Sequence, residues 1–273
     1  MTNFRYSIII FICGACFLLG SSCEITQVIP DDDEDPVENQ GNKLVQVIED
    51  DNIWGGKVIL EVDRVMSLLH KTKYTLSNYV TEVEDGRLDV DCSKYVETIM
   101  KEASLIHYQE LPKSSKSGLT SLAKDYYNHF VTLPYEPDES HCWIRIENLE
   151  DARPGDIISY IHAEQGNTTG HVMIICSYPK PSEFSPVDYS LDLNDAASSG
   201  HFGDTRNKEG IYSEDYTYIP TLHFDDGQMK YSGIGIGTMW FHIGSNSYYR
   251  WNSESGRQVY KSIAIGRMID PII

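Results

Sequence analysis

The segment LDVDCSKYVETIM, residues 88–100, sets a thiol directly behind an aspartate. After Cys92, apolar residues at Tyr95, Val96, Ile99, Met100 and Ala103 follow the 3–4 spacing of one helix face. Asp91 is then the natural N-cap, because its carboxylate can accept bonds from the free N–H groups of the first turn. That places Cys92 at the positive end of the helix dipole, where a thiolate is stabilised. Thiolate chemistry on an amide also needs a base. His171 opens the strand HVMIICSY at its rim, after the turn EQGNTTG. An antiparallel hairpin can lay this imidazole against Cys92, where it would take the thiol proton and later protonate a leaving amine. A cysteine packed as a small hydrophobe and a surface histidine are the plainer readings of each residue alone.

The elements that must position this pair are legible in the pattern. Val58, Val62, Val65, Met66 and Leu69 share a face and predict a first helix, with the folded part starting near residue 54. The second helix begins at Cys92. A third is predicted around residues 117–130, from Leu119, Leu122, Ala123, Tyr126 and Phe130. From residue 142 the texture changes to strands. CWIRIENL, ARPGDIISYIHA, HVMIICSY, VDYSLDLND, YTYIPTLHF, GIGIGTMWFHI and QVYKSIAIGRMI each read as one. Helices followed by an antiparallel meander make an α+β domain. Pro154-Gly155-Asp156 is a tight turn feeding a strand, and Gly166 and Gly170 flank a hairpin connection. The glycines of GIGIG lack the spacing of a nucleotide loop and precede no helix, so they predict a strand with one face crowded by another backbone.

A formal charge of −19 argues against a nucleic-acid partner held through its phosphates. No CxxC or HExxH occurs and the nine histidines are scattered, so no metal or other cofactor is expected. The N-terminus reads as an export signal: Arg5, then an apolar stretch over residues 7–20, then small residues before Cys23. LLGSSC resembles a bacterial lipoprotein signal, which implies removal of residues 1–22, lipid on Cys23 and a membrane-anchored protein of the cell envelope. An ordinary secretory signal cleaved nearby is the competing reading. Residues 23–53, with the acidic run PDDDEDPVENQGNK, predict a solvated tether. Beyond Cys23 only Cys92, Cys142 and Cys176 remain, an odd number, so at least one thiol stays free. Cys142 and Cys176 are expected to be structural, with Cys176 facing the opposite side of its strand from His171.

DCSKYV, then RPGDIISY, then GHVMII, in that order, resemble the NlpC-like cysteine peptidases, a papain-like fold found in bacterial cell-wall hydrolases. The likeness covers roughly residues 79–268, and its later segments SSGHFGDTR, GIGIGTMWF, YYRW and AIGRMI resemble an exported branch of that superfamily. It implies one domain over residues 54–273, with a nucleophile-bearing helix packed on an antiparallel sheet. It also implies an exported peptidase or amidase that hydrolyses an amide bond in peptidoglycan stem peptides or related short peptides. Carried over, Cys92 is the nucleophile and His171 the base. Asp195 falls where the family's orienting residue lies, with Asn194 one position away on the opposite strand face. Tyr79 stands where a family tyrosine lines the site.

Just beyond Asp195 lies a second polar cluster of His201, Asp204 and Arg206. His201 and Arg206 suit a grip on a substrate carboxylate, Arg206 being fitted to a bidentate contact. The alternative is a loop pinned by an Asp204–Arg206 pair, as most surface ion pairs are only structural. A different function class is a binding scaffold on a peptidase fold without activity. The 18 tyrosines and 4 tryptophans, with stretches such as EDYTYIP and SNSYYRW, could form a glycan- or protein-binding face. An intact Cys92, His171 and Asp195 set favours the enzyme, since a scaffold has no physical reason to keep it.

Overall fold

The computed structural model describes residues 52–115, 120–162, 170–207, 212–213, 216–219, 228–251 and 253–271. The signal segment, Cys23 and the acidic run of the tether lie outside the described residues. So does Leu119, on which the predicted third helix partly rested.

Helix α1 spans Ile53–Leu68, capped by the Asn52 side chain, which accepts from Gly55 N at 3.0 Å. Three short strands follow: β1, Lys71–Tyr74; β2, Val80–Glu82; and β3, Arg87–Val90. β3 runs directly into Asp91 and helix α2, Cys92–Ala103. Helix α3 is Leu105–Glu110 and helix α4 is Ala123–Thr132. α4 starts later than the apolar spacing implied. The cause is Asp125, whose carboxylate reaches back to the Leu122 N–H at 2.8 Å and so caps the helix there.

The strands after α4 are β4, Trp143–Ile146; β5, Ile157–Ile161; β6, Gly170–Ile175; β7, Lys180–Pro181; and β8, Tyr189–Ala197. They continue with β9, Tyr212–Ser213; β10, Tyr216–Ile219; β11, Gln228–Tyr231; β12, Gly233–His242; β13, Tyr248–Arg250; β14, Val259–Tyr260; and β15, Ser262–Met268. Among the described residues a curled antiparallel sheet of nine strands runs β14-β13-β12-β8-β6-β5-β15-β4, with β7 on β8. From β5 to β14 it is a meander. β15 then returns to the free edge of β5, so the segment read as one strand, QVYKSIAIGRMI, divides at Lys261 between two partners. The architecture is α+β.

Two apolar layers cover the sheet. On one face α1, α2 and α4 bury Val62, Val96, Ile99 and Phe130 against Val172, Ile174, Ala196 and Ile234. On the other, Met173, Ile175, Leu193, Phe241 and Ile265 pack within the curl. β6 is buried on both sides, which explains its unbroken apolar run. Tyr248 and Tyr249, part of the stretch that suggested an exposed aromatic face, are both 7% exposed and belong to strand β13.

A smaller four-stranded sheet, β2-β3-β1-β9, was not foreseen; β1 pairs in parallel with both β3 and β9. Its strands are two to four residues long and carry mixed charges, so no alternation marks them. Thr72 ties this sheet to the large one. Its Oγ1 donates to Leu88 O at 2.9 Å and accepts from Ile234 N at 2.9 Å.

The GIGIG strand is crowded, but mainly by side chains and not by another backbone: Thr72 of β1 at Gly233, and the loop residues His201, Asp204 and Arg206 at Gly235 and Gly237. A Cβ on Gly235 would lie 2.5 Å from Arg206 Cγ, and one on Gly237 would lie 2.7 Å from His201 Cβ. Arg206 cannot swing aside, because its guanidinium is held at the far end. Gly235→Ala should therefore lower stability by about 1–3 kcal/mol, the usual cost of overpacking. Chemical denaturation checks this; an unchanged midpoint would show that the loop is free to move.

Candidate active site

Asp91 fixes the start of α2 through several bonds. Its Oδ1 accepts from Lys94 N at 2.7 Å and from the Ser93 hydroxyl at 2.8 Å, while the Tyr79 hydroxyl donates to Oδ2. Cys92 is thus the first residue of a capped helix, with Tyr79 beside the cap and partly exposed. α2 packs across β6 and β8, the strands that carry His171 and Asp195.

His171 is the second residue of β6, paired with Tyr160 of β5 at the strand end. Its Nε2 lies 2.5 Å from Asp195 Oδ2. Cys92 lies near enough to the ring to act on its charge, and with Nε2 turned to Asp195 the nitrogen left for the thiol is Nδ1. Burial alone would lower the affinity of His171 for its proton. Nearby Cys92 and the bond to Asp195 outweigh it, and its pKa is pushed up to about 10. The arrangement is a cysteine at a helix start, an imidazole near it and a carboxylate behind the ring.

Asn194 and Asp195 are neighbours on β8 and point to opposite faces. Asn194 turns toward the helices, accepting from the Tyr95 hydroxyl and donating to Gly235 O at 3.1 Å. Asp195 turns toward His171. It is wholly buried, and burial would favour its neutral form. The charges of His201 and Arg206, with bonds from both imidazoles, override this and hold the carboxyl well below the usual carboxylate range.

His201 and Arg206 are not placed as a substrate grip. The Arg206 side chain is fully buried, paired with Asp195 Oδ1 and Asp204, and donates to the Asp195 and Gly233 carbonyls at 3.0 and 2.9 Å. His201 Nε2 lies 3.0 Å from Asp195 Oδ2, and that side chain is buried too. Both therefore face the inner side of Asp195. The Asp204–Arg206 pair does pin the loop, though as an interior contact. Sequence reading placed them at the surface because nothing in their spacing shows which strand the loop lies on.

Trp251 is the residue that sequence reading missed. Its ring lies 4.2 Å from His201 and 5.8 Å from His171, centroid to centroid, and its Nε1 donates to Gly200 O at 2.9 Å. It thus touches both of the imidazoles that bond to Asp195. The only signal was the aromatic segment YYRW, which gave no hint of this neighbour.

Cys142 and Cys176 are unbridged. The Cys142 thiol and backbone N–H both donate to Glu110 Oε2, at 2.6 and 2.9 Å. Cys176 sits partly buried at the margin of the helix-side core. Although His129 and His141 also lie near Glu110, no group of three or more His, Cys, Asp or Glu among the described residues is arranged to hold a metal ion.

No family model, curated protein or solved structure matches this chain. The chemistry of the site therefore rests on its geometry. Cys92 should be the fast-reacting thiol, labelled by iodoacetamide near pH 6.5 ahead of Cys142 and Cys176. Burial and the Glu110 carboxylate push Cys142 up to about 12, and burial pushes Cys176 up as well. Cys92 and Cys142 are 5% and 6% exposed, so access cannot produce this order. Equal labelling of the three, read by peptide mass spectrometry, would remove Cys92 as the nucleophile.

Proposed function

We propose that the chain is an exported cysteine peptidase or amidase with an NlpC-like, papain-like domain. Its substrate is an amide bond of a peptidoglycan stem peptide or a related short peptide. The single observation that carries the reading is the His171 ring bonded to the buried Asp195 carboxylate on the two strands against which the Cys92 helix packs. The order of DCSKYV, RPGDIISY and GHVMII in the sequence supports it.

The thiolate of Cys92 attacks the amide carbonyl, and the oxygen that gains charge takes a bond from the Cys92 N–H, free at the helix start. His171 gives its proton to the departing amine as the carbon–nitrogen bond breaks, leaving an acyl-enzyme on sulfur. A water then attacks the thioester, His171 takes its proton, and the thiolate leaves with the acid. Asp195 accepts from His171 throughout, which fixes the tautomer and stabilises the imidazolium.

Incubating the chain with a peptidoglycan digest and mapping the cleaved bond by mass spectrometry tests the function. Cys92→Ala should abolish turnover, and His171→Ala should come close. Asp195→Asn keeps the shape and loses the charge. It should lower kcat on the order of ten- to a thousandfold with KM nearly unchanged, because it assists the acid–base step without performing it. Full activity of Cys92→Ala would end the proposal by showing a different nucleophile, and no cleavage by the parent chain would favour a binding scaffold.

The same reading places the protein at the cell envelope, held by lipid on Cys23. Cys23→Ser should move it from the membrane fraction to the soluble one. Persistent membrane association of that variant would show a different anchor.

A further inference from the structure

We propose that His201 sets how tightly His171 holds its proton, by competing with it for one oxygen of Asp195. This rests on the reading of Cys92 and His171 as the catalytic pair. Arg206 alone fixes the Asp195 carboxylate: it takes Oδ1, the Asp195 carbonyl at 3.0 Å and the Gly233 carbonyl at 2.9 Å. The orientation of the carboxylate thus does not depend on His201. What remains is Oδ2, on which His171 Nε2 and His201 Nε2 converge at 2.5 and 3.0 Å.

Each N–H accepted by a carboxylate oxygen stabilises the anion and reduces what it offers another donor. Removing His201 therefore strengthens the hold of Asp195 on the His171 proton. The sign is the same whichever charge His201 carries, since both forms donate from Nε2 and a positive ring would also repel the imidazolium.

His201 is badly placed to be mere filling. Its Nδ1 is buried without a partner, a cost that an apolar side chain would avoid. The ring's one hydrogen bond is to the residue that orients His171. Gly237 and Trp251 make room for it: a Cβ on Gly237 would lie 2.7 Å from His201 Cβ, and Trp251 lies over the ring at 4.2 Å. Asp204 Oδ2 accepts from the His201 backbone N–H at 2.8 Å, so the main chain is held independently of the ring.

The chemical use is clear. A general acid that held its proton too firmly would be slow to give it to the leaving amine. The imidazolium of His171 is already favoured by Cys92 and Asp195, and His201 moderates this. The other charged or titratable groups facing the array are Arg206 and Asp204 on its own loop, Asp91 at the cap of α2, Cys92 and Tyr95 on α2, Cys176 just after β6, and Tyr74 on β1. Tyr160 and His162 face it from β5 and its end, and Tyr249 from β13 through Tyr160. All stay in place in a His201 variant, so a shift reports the lost donor.

The test is an NMR titration of the His171 ring in the whole chain, with no substrate present. His201→Phe keeps a ring in contact with Trp251 but removes the donor, and should raise the deprotonation pH of His171 on the order of one unit. His201→Asn, too short to reach Oδ2, should shift it the same way and covers the case in which the phenylalanine variant fails to fold. His201→Gln, whose amide can donate to Oδ2, should titrate as the parent does. An unchanged or lowered titration in His201→Phe or His201→Asn would overturn the proposal. If no amide substrate is ever cleaved, the functional reading fails while the titration still decides whether His201 competes for Asp195.

Discussion

A carboxylate with no solvent access sits in the centre of the large sheet, and most of the surrounding structure follows from keeping it charged. Taking an ion out of water costs several kcal/mol unless opposite charge and hydrogen bonds replace the lost hydration. Asp195 has Arg206 on one oxygen and two imidazoles on the other. Arg206 is itself buried and needs its own acceptors, found in Asp204 and two strand carbonyls. To reach them it must lie flat on β12 beside Asp195, and this is possible only because Gly235, the residue paired with Asp195, has no side chain. One buried charge thus dictates a loop, an arginine and the glycine pattern of a neighbouring strand.

β8 links this polar centre to the helix layer through two consecutive residues. Asn194 faces the helices and anchors Tyr95, one turn into α2, while Asp195 faces His171 on the other side. The alternation of a strand turns a one-residue step into a change of task. The helix carrying Cys92 and the strand carrying His171 are thereby set against the same short piece of backbone. Asp91 completes the arrangement from below, since the residue that caps α2 is also the residue joined to β3.

The parts of this arrangement that were legible in the sequence are those governed by local physics. The helix at Cys92, its aspartate cap, the turn at Gly155 and the strand bearing His171 all follow from spacing, capping and turn chemistry. Gly155 shows why such signals work: its φ is +89°, and a Cβ there would meet the backbone of Gly55 at 2.2 Å. What was not legible depends on long-range placement. Arg206 reads as a surface residue because charged side chains usually are, and only the docking of its loop on β12 buries it. Trp251 and the small sheet of β1, β2, β3 and β9 are invisible for a related reason. Neither has a periodic pattern, and both are defined by partners distant in the chain.

The two most buried thiols show how strongly local charge decides the character of a residue. Cys92 and Cys142 are almost equally hidden from solvent, and both come from short segments beside aromatic residues. Cys142 points at the Glu110 carboxylate and donates its proton there; ionising it would set two negative charges side by side in a partly desolvated place, so the thiol stays protonated. Cys92 begins a helix and meets an imidazole that can carry a positive charge, so the same ionisation creates an attractive pair. Their nearly equal exposure cannot distinguish them. The sign of the nearest charge does, and for Cys92 that sign depends on His171 keeping its proton, which in turn depends on Asp195 keeping its charge.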